Sequence, residues 1–322
     1  MNAEVWVLIG GSGTFGREAI RQLLADDRVR KVRVCSRDER KQAEVRAENA
    51  SAVADGRLIT MLGDVRDLER MERACEGATH VAHAAALKRI EVCQADVEEC
   101  IRTNVIGSMN VAKAAERQGV EAAVLLSSDK SADPVNAYGA SKAMAEHVWL
   151  NTSRAWGSRS TRLVAVRYGN VIGSRGSVIE AWRAAAAAGH PITVRGEYVT
   201  RFWLSIEHAV ALALWTARTV PSGNLIIPKL PAADVMSIAK AAGVEVKREA
   251  LGDAEKDHET LLTAHEWARA VEVSPQGVPW LAWRVPSVTG VGHSPARAVL
   301  ESYNSESAKR LSGQAVFDGE AI

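Results

Sequence analysis

Short, apolar-rich runs of strand length separated by stretches of helical spacing organise this chain. Val5-Trp6-Val7-Leu8-Ile9, Lys31 to Cys35, Leu58 to Leu62, Thr79 to Ala82 and Ala122 to Leu126 have strand length, and Val164-Ala165-Val166-Arg167-Tyr168 closes the series. Continuous rather than alternating apolar character marks strands covered on both faces, as in a parallel sheet under helices. Between the runs, apolar positions recur at helical intervals: through Leu24 after the first strand, and from Asp96 to Gln118 through Ile101, Val105, Met109 and Ala112. The alternation predicts an α/β fold, a doubly wound parallel sheet with right-handed crossovers. Further on, Ala181 to Ala188, Ile206 to Thr216 and Met236 to Ala242 read as helices and Asn224 to Pro228 as a short strand.

Composition narrows the function classes. Forty Lys+Arg against 39 Asp+Glu leave a formal charge of +1 on 322 residues, which gives no electrostatic case for nucleic acid or an anionic membrane. No apolar run has the length of a membrane span, and Met1 to Gly16 passes directly into a strand and turn, without the basic start and cleavage region of a signal peptide. The expectation is a soluble cytoplasmic protein. Cys35, Cys75, Cys93 and Cys100 show no C-x-x-C pairing and read as semi-buried thiols. His80 and His83, three apart in a strand, point to opposite faces, so no metal site is expected.

Three stretches carry chemistry. After the first strand, Gly10, Gly13 and Gly16, with Ser12, Thr14 and Phe15 between them, open a helix in the arrangement that lets a dinucleotide pyrophosphate approach backbone amides. That makes residues 1–170 a Rossmann-like cofactor domain, joined by pieces of 200–230, and leaves 171–322 as a smaller substrate-binding lobe with an irregular cap. The second strand ends in Ser36-Arg37, a hydroxyl and a guanidinium that suit the 2′-phosphate of NADP; the alternative is NAD, with Asp38 or Glu39 on the ribose. Asp64-Val65 stand where adenine contacts fall, and Ala84-Ala85 are small enough for a cofactor to lie close. The third stretch is Ser128-Asp129-Lys130 at the end of the central strand, followed by Tyr138 and Lys142. A spacing of four stacks the phenol and ammonium on one helix face, where the cation is expected to lower the tyrosine pKa and fit it to take a proton from a sugar hydroxyl. An isolated Asp-Lys dipeptide is ordinarily a surface ion pair. Directly after the central strand and eight residues before Tyr138, it reads as an acid and a base.

Gly10 to Gly16 with Tyr138-x-x-x-Lys142 resembles the extended short-chain dehydrogenase/reductase superfamily, whose members work on nucleotide sugars. Within it, Ser36-Arg37-Asp38-Glu39, Gly63-Asp64-Val65-Arg66-Asp67, Ala84-Ala85-Ala86-Leu87-Lys88, Thr103-Asn104-Val105-x-Gly107, Ser128-Asp129-Lys130, Arg167-Tyr168-Gly169-Asn170 with the following Gly173-Ser174-Arg175-Gly176-Ser177, and Thr200-Arg201-Phe202 resemble one branch. That branch is the inverting UDP-N-acetylglucosamine 4,6-dehydratases, soluble relatives of polysaccharide-biosynthesis proteins, and the resemblance spans residues 5 to 262. It implies that Tyr138 deprotonates the C4 hydroxyl while hydride passes to NADP, with Lys142 on the ribose and Ser128 on the reacting oxygen. Lys130 becomes the base at C5 and Asp129 the acid for the C6 leaving group; hydride then returns to C6 and the cofactor stays bound. Lys88, Asn170, Ser174, Arg175, Ser177, Arg201 and Glu259 become substrate contacts, and a homo-oligomer, a hexamer or smaller, is implied.

The chain departs from this pattern at Leu251-Gly252-Asp253-Ala254-Glu255-Lys256-Asp257-His258-Glu259, where the family's arginine before Gly-Glu-Lys is missing and Asp253 adds a negative charge. Arg248 is the candidate substitute for gripping diphosphate. A 4-epimerase or a dehydratase of another hexose is the alternative function, and a catalytically idle NADP-binding regulator the third. From Ser274 onward an irregular cap on the substrate lobe is expected, with Trp280 and Trp283 in packing roles and Tyr303 to Ser312 resembling the family's closing segment.

Overall fold

The computed structural model describes residues 3–155, 161–174, 176–287 and 302–319. Six strands fall where the apolar runs predict them: β1 (Glu4–Ile9), β2 (Val29–Ser36), β3 (Leu58–Leu62), β4 (His80–His83), β5 (Ala122–Ser128) and β6 (Arg162–Tyr168). They pair in parallel in the spatial order 3-2-1-4-5-6. The order reverses between β1 and β4, and a doubly wound sheet opens its ligand crevice at that point, outside the carboxyl ends of the strands. Trp6, Val7, Val124, Leu163 and Val166 are wholly buried, as strands covered on both faces require.

Among the described residues the sheet has nine strands. Asn224–Pro228 runs parallel to β6, and Ala282–Pro286 and then Val271–Val273 add antiparallel at that edge. The stretch after Ser274 is therefore not only a cap on the lobe. Its strand is five residues long and bounded by prolines, too short for periodicity to reveal. Trp283 anchors it, packing on Trp267 and Tyr303 with ring centroids 5.5 and 4.8 Å away. Tyr303–Asn304 pairs in turn with Thr260–Leu262. Residues 288–301 lie outside the described segments.

The helix expected over 96–118 forms from Val97 to Arg117, but winds as a π-helix over Ile101–Ile106. Such a wide turn often marks a functional site. Here it buries Asn104, whose side chain bonds both the N–H and the carbonyl of Leu87 (2.8 and 2.9 Å) and the Ser141 hydroxyl (2.9 Å). Asn104 thus ties the segment after β4 to the helix Ala137–Ala155, which carries Tyr138 and Lys142. The lobe has its own core of Ile179, Trp182, Trp203, Met236 and Val316, built from the helices Val178–Ala187, Val235–Ala241 and Gly313–Asp318 with adjoining short strands. No helix among the described residues is long and apolar enough to cross a membrane.

Candidate active site

A cleft of about 1600 Å³ lies between the carboxyl ends of the strands and the lobe. Gly10, Ser12, Gly13, Thr14 and Phe15 form its floor at one end. Gly10 has φ +80°, and a Cβ there would sit 2.7 Å from the Ala85 nitrogen, so glycine is forced by backbone and packing alike. Gly16 does not line the cleft; a Cβ would fall 2.1 Å from the Gly11 carbonyl oxygen, and its role is to seat the helix Thr14–Leu24 on the turn. At Gly13 a Cβ would meet only the Gly10 carbonyl oxygen, at 3.5 Å, an ordinary contact. The protein itself leaves room for a methyl there, and only a group entering the cleft would need that space. Gly13 also caps the eleven-residue helix without a side-chain acceptor, leaving the first-turn amides for a ligand anion. These features fit a dinucleotide pyrophosphate. Gly16→Ala is expected to cost about 1–3 kcal/mol of stability in urea titration, whereas Gly13→Ala should leave stability nearly unchanged and weaken dinucleotide binding.

Ser36 and Arg37 line the adenosine end, together with Asp38 and Lys41. The Asp38 carboxylate caps the next helix, accepting from the Lys41 amide at 2.9 Å, and pairs with the Lys41 ammonium at 3.2 Å. Gln42, which the sequence reading passed over, donates to the Ser36 carbonyl and hydroxyl (2.9 and 3.0 Å) and fixes this corner. Val65, Ala84 and Ala85 line the cleft as expected; Asp64 stands behind it, held by Arg66 at 2.6 Å and Arg37 at 3.5 Å.

The side chains expected to react meet where β5 ends. Tyr138, Lys142 and Ser128 line the cleft. Gly139 allows this approach: a Cβ there would lie 2.3 Å from the Lys130 carbonyl oxygen, so the helix carrying Tyr138 rests directly on the turn Asp129–Ser131. Tyr138 and Lys142 share a helix face, but the Lys142 ammonium bonds the Leu126 carbonyl at 2.6 Å. Burial pushes the Tyr138 phenol up to about 12; the nearby cation that draws it back is Lys130, assisted by the Ser128 hydroxyl. This reverses the expectation that Lys142 lowers the phenol pKa. Burial instead brings Lys142 itself down to about 8.

Asp129 and Lys130 stand one layer behind the cleft wall. Lys130 Nζ lies 3.2 Å from Asp129 Oδ1 and 3.1 Å from Glu259 Oε1. Asp129 is wholly buried; its Oδ1 also accepts from the Ser128 hydroxyl at 2.9 Å, while Oδ2 has no hydrogen-bond partner among the described residues. Burial raises the Asp129 pKa towards the protonated form. Burial opposes the charge on Lys130 as well, but Asp129 and Glu259 together hold its pKa above the ordinary lysine value. A second buried network braces the turn. The Ser131 hydroxyl donates to Glu146 at 2.6 Å, and Arg167 pairs with Glu146 at 2.6 Å and Glu266 at 2.8 Å.

On the substrate side Lys88, Asn170, Ser174 and Ser177 line the cleft, and Arg175 lies outside the described residues. Arg201 and Glu259 turn away from the wall. The Arg201 guanidinium bonds the carbonyls of Thr200, Lys256 and Asp257 at 2.8–2.9 Å. Arg248 is also off the cleft, 3.9 Å from Glu197 on an exposed edge. The arginine that does reach the altered loop is Arg195, which lines the cleft with Gly252, Asp253 and Glu255 and lies 3.9 Å from the Glu255 carboxylate. A lone arginine in a short edge strand carries no local signal, so the sequence did not single it out.

Known proteins share both sequence and architecture with this chain. The polysaccharide biosynthesis protein family model matches residues 7–276. A Campylobacter jejuni protein named UDP-N-acetylglucosamine 4,6-dehydratase (inverting) is 34% identical over 82% of this chain and 79% of its own. A Rickettsia akari protein named UDP-glucose 4-epimerase is 32% identical over 95% and 92%. The solved structure of Pen from Bacillus thuringiensis superposes with a TM-score of 0.88 at 28% identity, covering 99% of this chain and 98% of that one. The chain belongs to the polysaccharide biosynthesis protein family, within the nucleotide-sugar dehydratases and epimerases of the short-chain dehydrogenase/reductase fold.

Proposed function

We propose that this protein is a nucleotide-sugar 4,6-dehydratase that acts on UDP-N-acetylglucosamine with inversion at C5 and carries NADP. The observation that supports it most is the buried contact between Asp129 and Lys130 at the end of β5, with Asp129 Oδ2 left without a partner. A buried polar atom without a partner calls for an explanation, and a carboxylate poised to take up a proton from Lys130 supplies one. An enzyme that only oxidises and reduces C4 has no step that uses such a pair.

Gly10, Gly13, Phe15, Ser36, Arg37 and Lys142 would hold the dinucleotide, and a nicotinamide there supplies a reversible acceptor and donor of hydride. Tyr138, acting as the phenolate that Lys130 and Ser128 favour against burial, takes the proton of the C4 hydroxyl and releases it to solvent, and Ser128 hydrogen-bonds the same oxygen. With a carbonyl at C4, the C5 proton is acidic. Lys130 passes its proton across the 3.2 Å contact to Asp129, giving an amine and a carboxylic acid. For this step the pair must reach the sugar past Ser128, the cleft-lining residue whose hydroxyl bonds Asp129: the amine takes the C5 proton, Asp129 protonates the departing C6 hydroxyl, and water leaves. Lys130 is then again an ammonium and Asp129 a carboxylate; hydride, which a bound reduced nicotinamide would supply, adds at C6, and a solvent proton adds at C5 from the opposite face and gives the inverted 4-ketone. Burial favours the uncharged forms of both groups and raises Asp129 towards the acid, while Asp129 and Glu259 oppose the exchange by holding the charge on Lys130.

The cofactor choice rests on the adenosine end, where Arg37 and Lys41 are cations on the cleft and the Asp38 carboxylate is committed to a helix cap. Arg37→Asp is expected to lower the affinity for NADP relative to NAD by about tenfold or more, roughly the 1.4 kcal/mol of one charged contact; an unaltered ratio in titrations of both cofactors removes the assignment. The reading also carries a cytoplasmic homo-oligomer. A second reading, 4-epimerisation, is favoured by relatives of that name matching 95% of the chain. Mass spectrometry separates the two: a dehydratase product is lighter by one water, and an epimer keeps the mass of the substrate.

A further inference from the structure

The resemblance assigns Glu259 to the substrate, but its surroundings suggest a different task. The residue is 3% exposed, is not part of the cleft wall, and is encircled by cations: Lys130 at 3.1 Å and Arg201 at 4.0 Å from Oε1, and Lys256 at 3.4 Å from Oε2. Its backbone is pinned from behind. The Glu259 amide donates to the Ser305 hydroxyl at 3.0 Å, Ser305 N–H donates back to the Glu259 carbonyl at 2.8 Å, and Ser305 bonds Thr200, whose hydroxyl meets His258 Nδ1 at 2.8 Å. Lys256 is fixed in turn on the Ala132 carbonyl at 2.9 Å. A carboxylate this immobile, aimed at an ammonium, does more than neutralise a surface charge.

We infer that Glu259 is a positioning residue for the elimination step: it holds the Lys130 ammonium against Asp129 and sets the pH at which Lys130 gives up its proton. The inference rests on the reading of Lys130 as the base. Lys130 is faced by Asp129, Glu259, Arg201 and Tyr138, and Glu259 by Lys130, Arg201 and Lys256, with His258 and Glu306 at the outer end of the Thr200 link. Although burial alone would raise the Glu259 pKa, the three cations hold it below the ordinary value, so it remains a carboxylate while Asp129 is driven towards the acid. Two neighbouring carboxylates are thus given opposite tendencies by their surroundings, as an acid and a fixed counter-ion require. Arg201 and Lys256 temper Glu259, so that its hold on Lys130 can be overcome.

The test uses the full chain, as purified with its cofactor and labelled with [13Cε]lysine, with Lys130→Met to identify the Lys130 resonance. In Glu259→Gln the onset of the Lys130 titration should move down by about 1–3 pH units relative to the wild type, as expected for removing an opposite charge within 4–6 Å. The alkaline rise in deuterium incorporation at C5 of UDP-N-acetylglucosamine should move with it. Glu259→Asp, which keeps the charge on a shorter stem, should move both in the same direction by less, and decides the matter if the glutamine variant does not fold. A Lys130 resonance that titrates as in the wild type in whichever variant folds overturns the inference. So does a kinetic rise that stays put while the wild type dehydrates, and that result leaves the dehydration itself standing. Because the resonance needs no turnover, a shifted Lys130 in an enzyme that dehydrates nothing overturns the reaction reading and keeps the Glu259 coupling.

Discussion

Lys130→Met should lower the loss of water from the substrate, and the exchange of its C5 proton with solvent, by about 10²–10⁴-fold, the usual contribution of a positioned acid or base, while cofactor content is unchanged. Methionine keeps most of the length of the side chain and removes the amine. The cofactor should be retained because Lys130 does not line the cleft and the groups that fit the dinucleotide lie elsewhere. Oxidation at C4 should survive in part, since Tyr138, Ser128 and Lys142 are untouched, although losing the cation that draws the Tyr138 phenol down should slow it near neutral pH. The informative pattern is therefore an enzyme whose bound cofactor becomes reduced on mixing with substrate and then stalls. Rapid-mixing absorbance with mass analysis of the quenched sugar reads both halves. Dehydration at the wild-type rate would remove Lys130 from the mechanism.

Arg167→Met should destabilise the fold by about 3–5 kcal/mol, the cost of breaking a buried ion pair from one side. Arg167 is 3% exposed, joins Glu146 and Glu266, and also donates to the Leu261 carbonyl at 2.9 Å. Without it the buried Glu146 and the largely buried Glu266 lose their counter-charge, and Glu146 is the group on which the Ser131 hydroxyl of the turn Asp129–Ser131 rests. The loss should depend on pH. Burial raises the Glu266 pKa, but Arg167 more than offsets this and holds it below the ordinary carboxylate value. A depressed folded-state pKa contributes stability above the unfolded pKa that is lost as pH falls through the folded one. The gap between wild type and Arg167→Met should thus be full at neutral pH and narrow as the medium is acidified below the ordinary carboxylate range. Urea midpoints with an unchanged slope measure it; a gap constant with pH would show that packing, not charge, dominates.

What was legible in the sequence follows from how local each signal is. The central strands β1, β5 and β6 announce themselves because both faces of each are covered, so their residues are largely apolar, whereas β2 and the edge strand β3 show shorter apolar stretches mixed with exposed positions. Gly10 to Gly16 and Ser128 to Lys142 are likewise read from short spacing, and the structure brings most of their side chains to one cleft. Charge pairing was not legible, because it is settled between residues far apart in the chain. Nothing local distinguishes the Glu259 that meets Lys130 from a substrate contact, or shows that Lys142 bonds a strand carbonyl while Lys130 acts on Tyr138. The strand Ala282–Pro286 escaped for another reason: its stability comes from pairing with Asn224–Pro228 and from the Trp267, Trp283 and Tyr303 cluster. Arg195 illustrates both limits, since only the fold brings it to a loop more than fifty residues away.

A single site that oxidises C4, eliminates water across C5 and C6 and restores its cofactor leaves its mark on both the mass and the hydrogen content of the sugar. The most direct test is to incubate the purified protein with UDP-N-acetylglucosamine in heavy water, with no cofactor added, and to analyse the sugar by mass spectrometry and proton NMR. The account predicts a product lighter by one water, deuterium at C5 and an inverted C5 configuration. A product of unchanged mass with C4 inverted, or water lost without deuterium at C5, would contradict it.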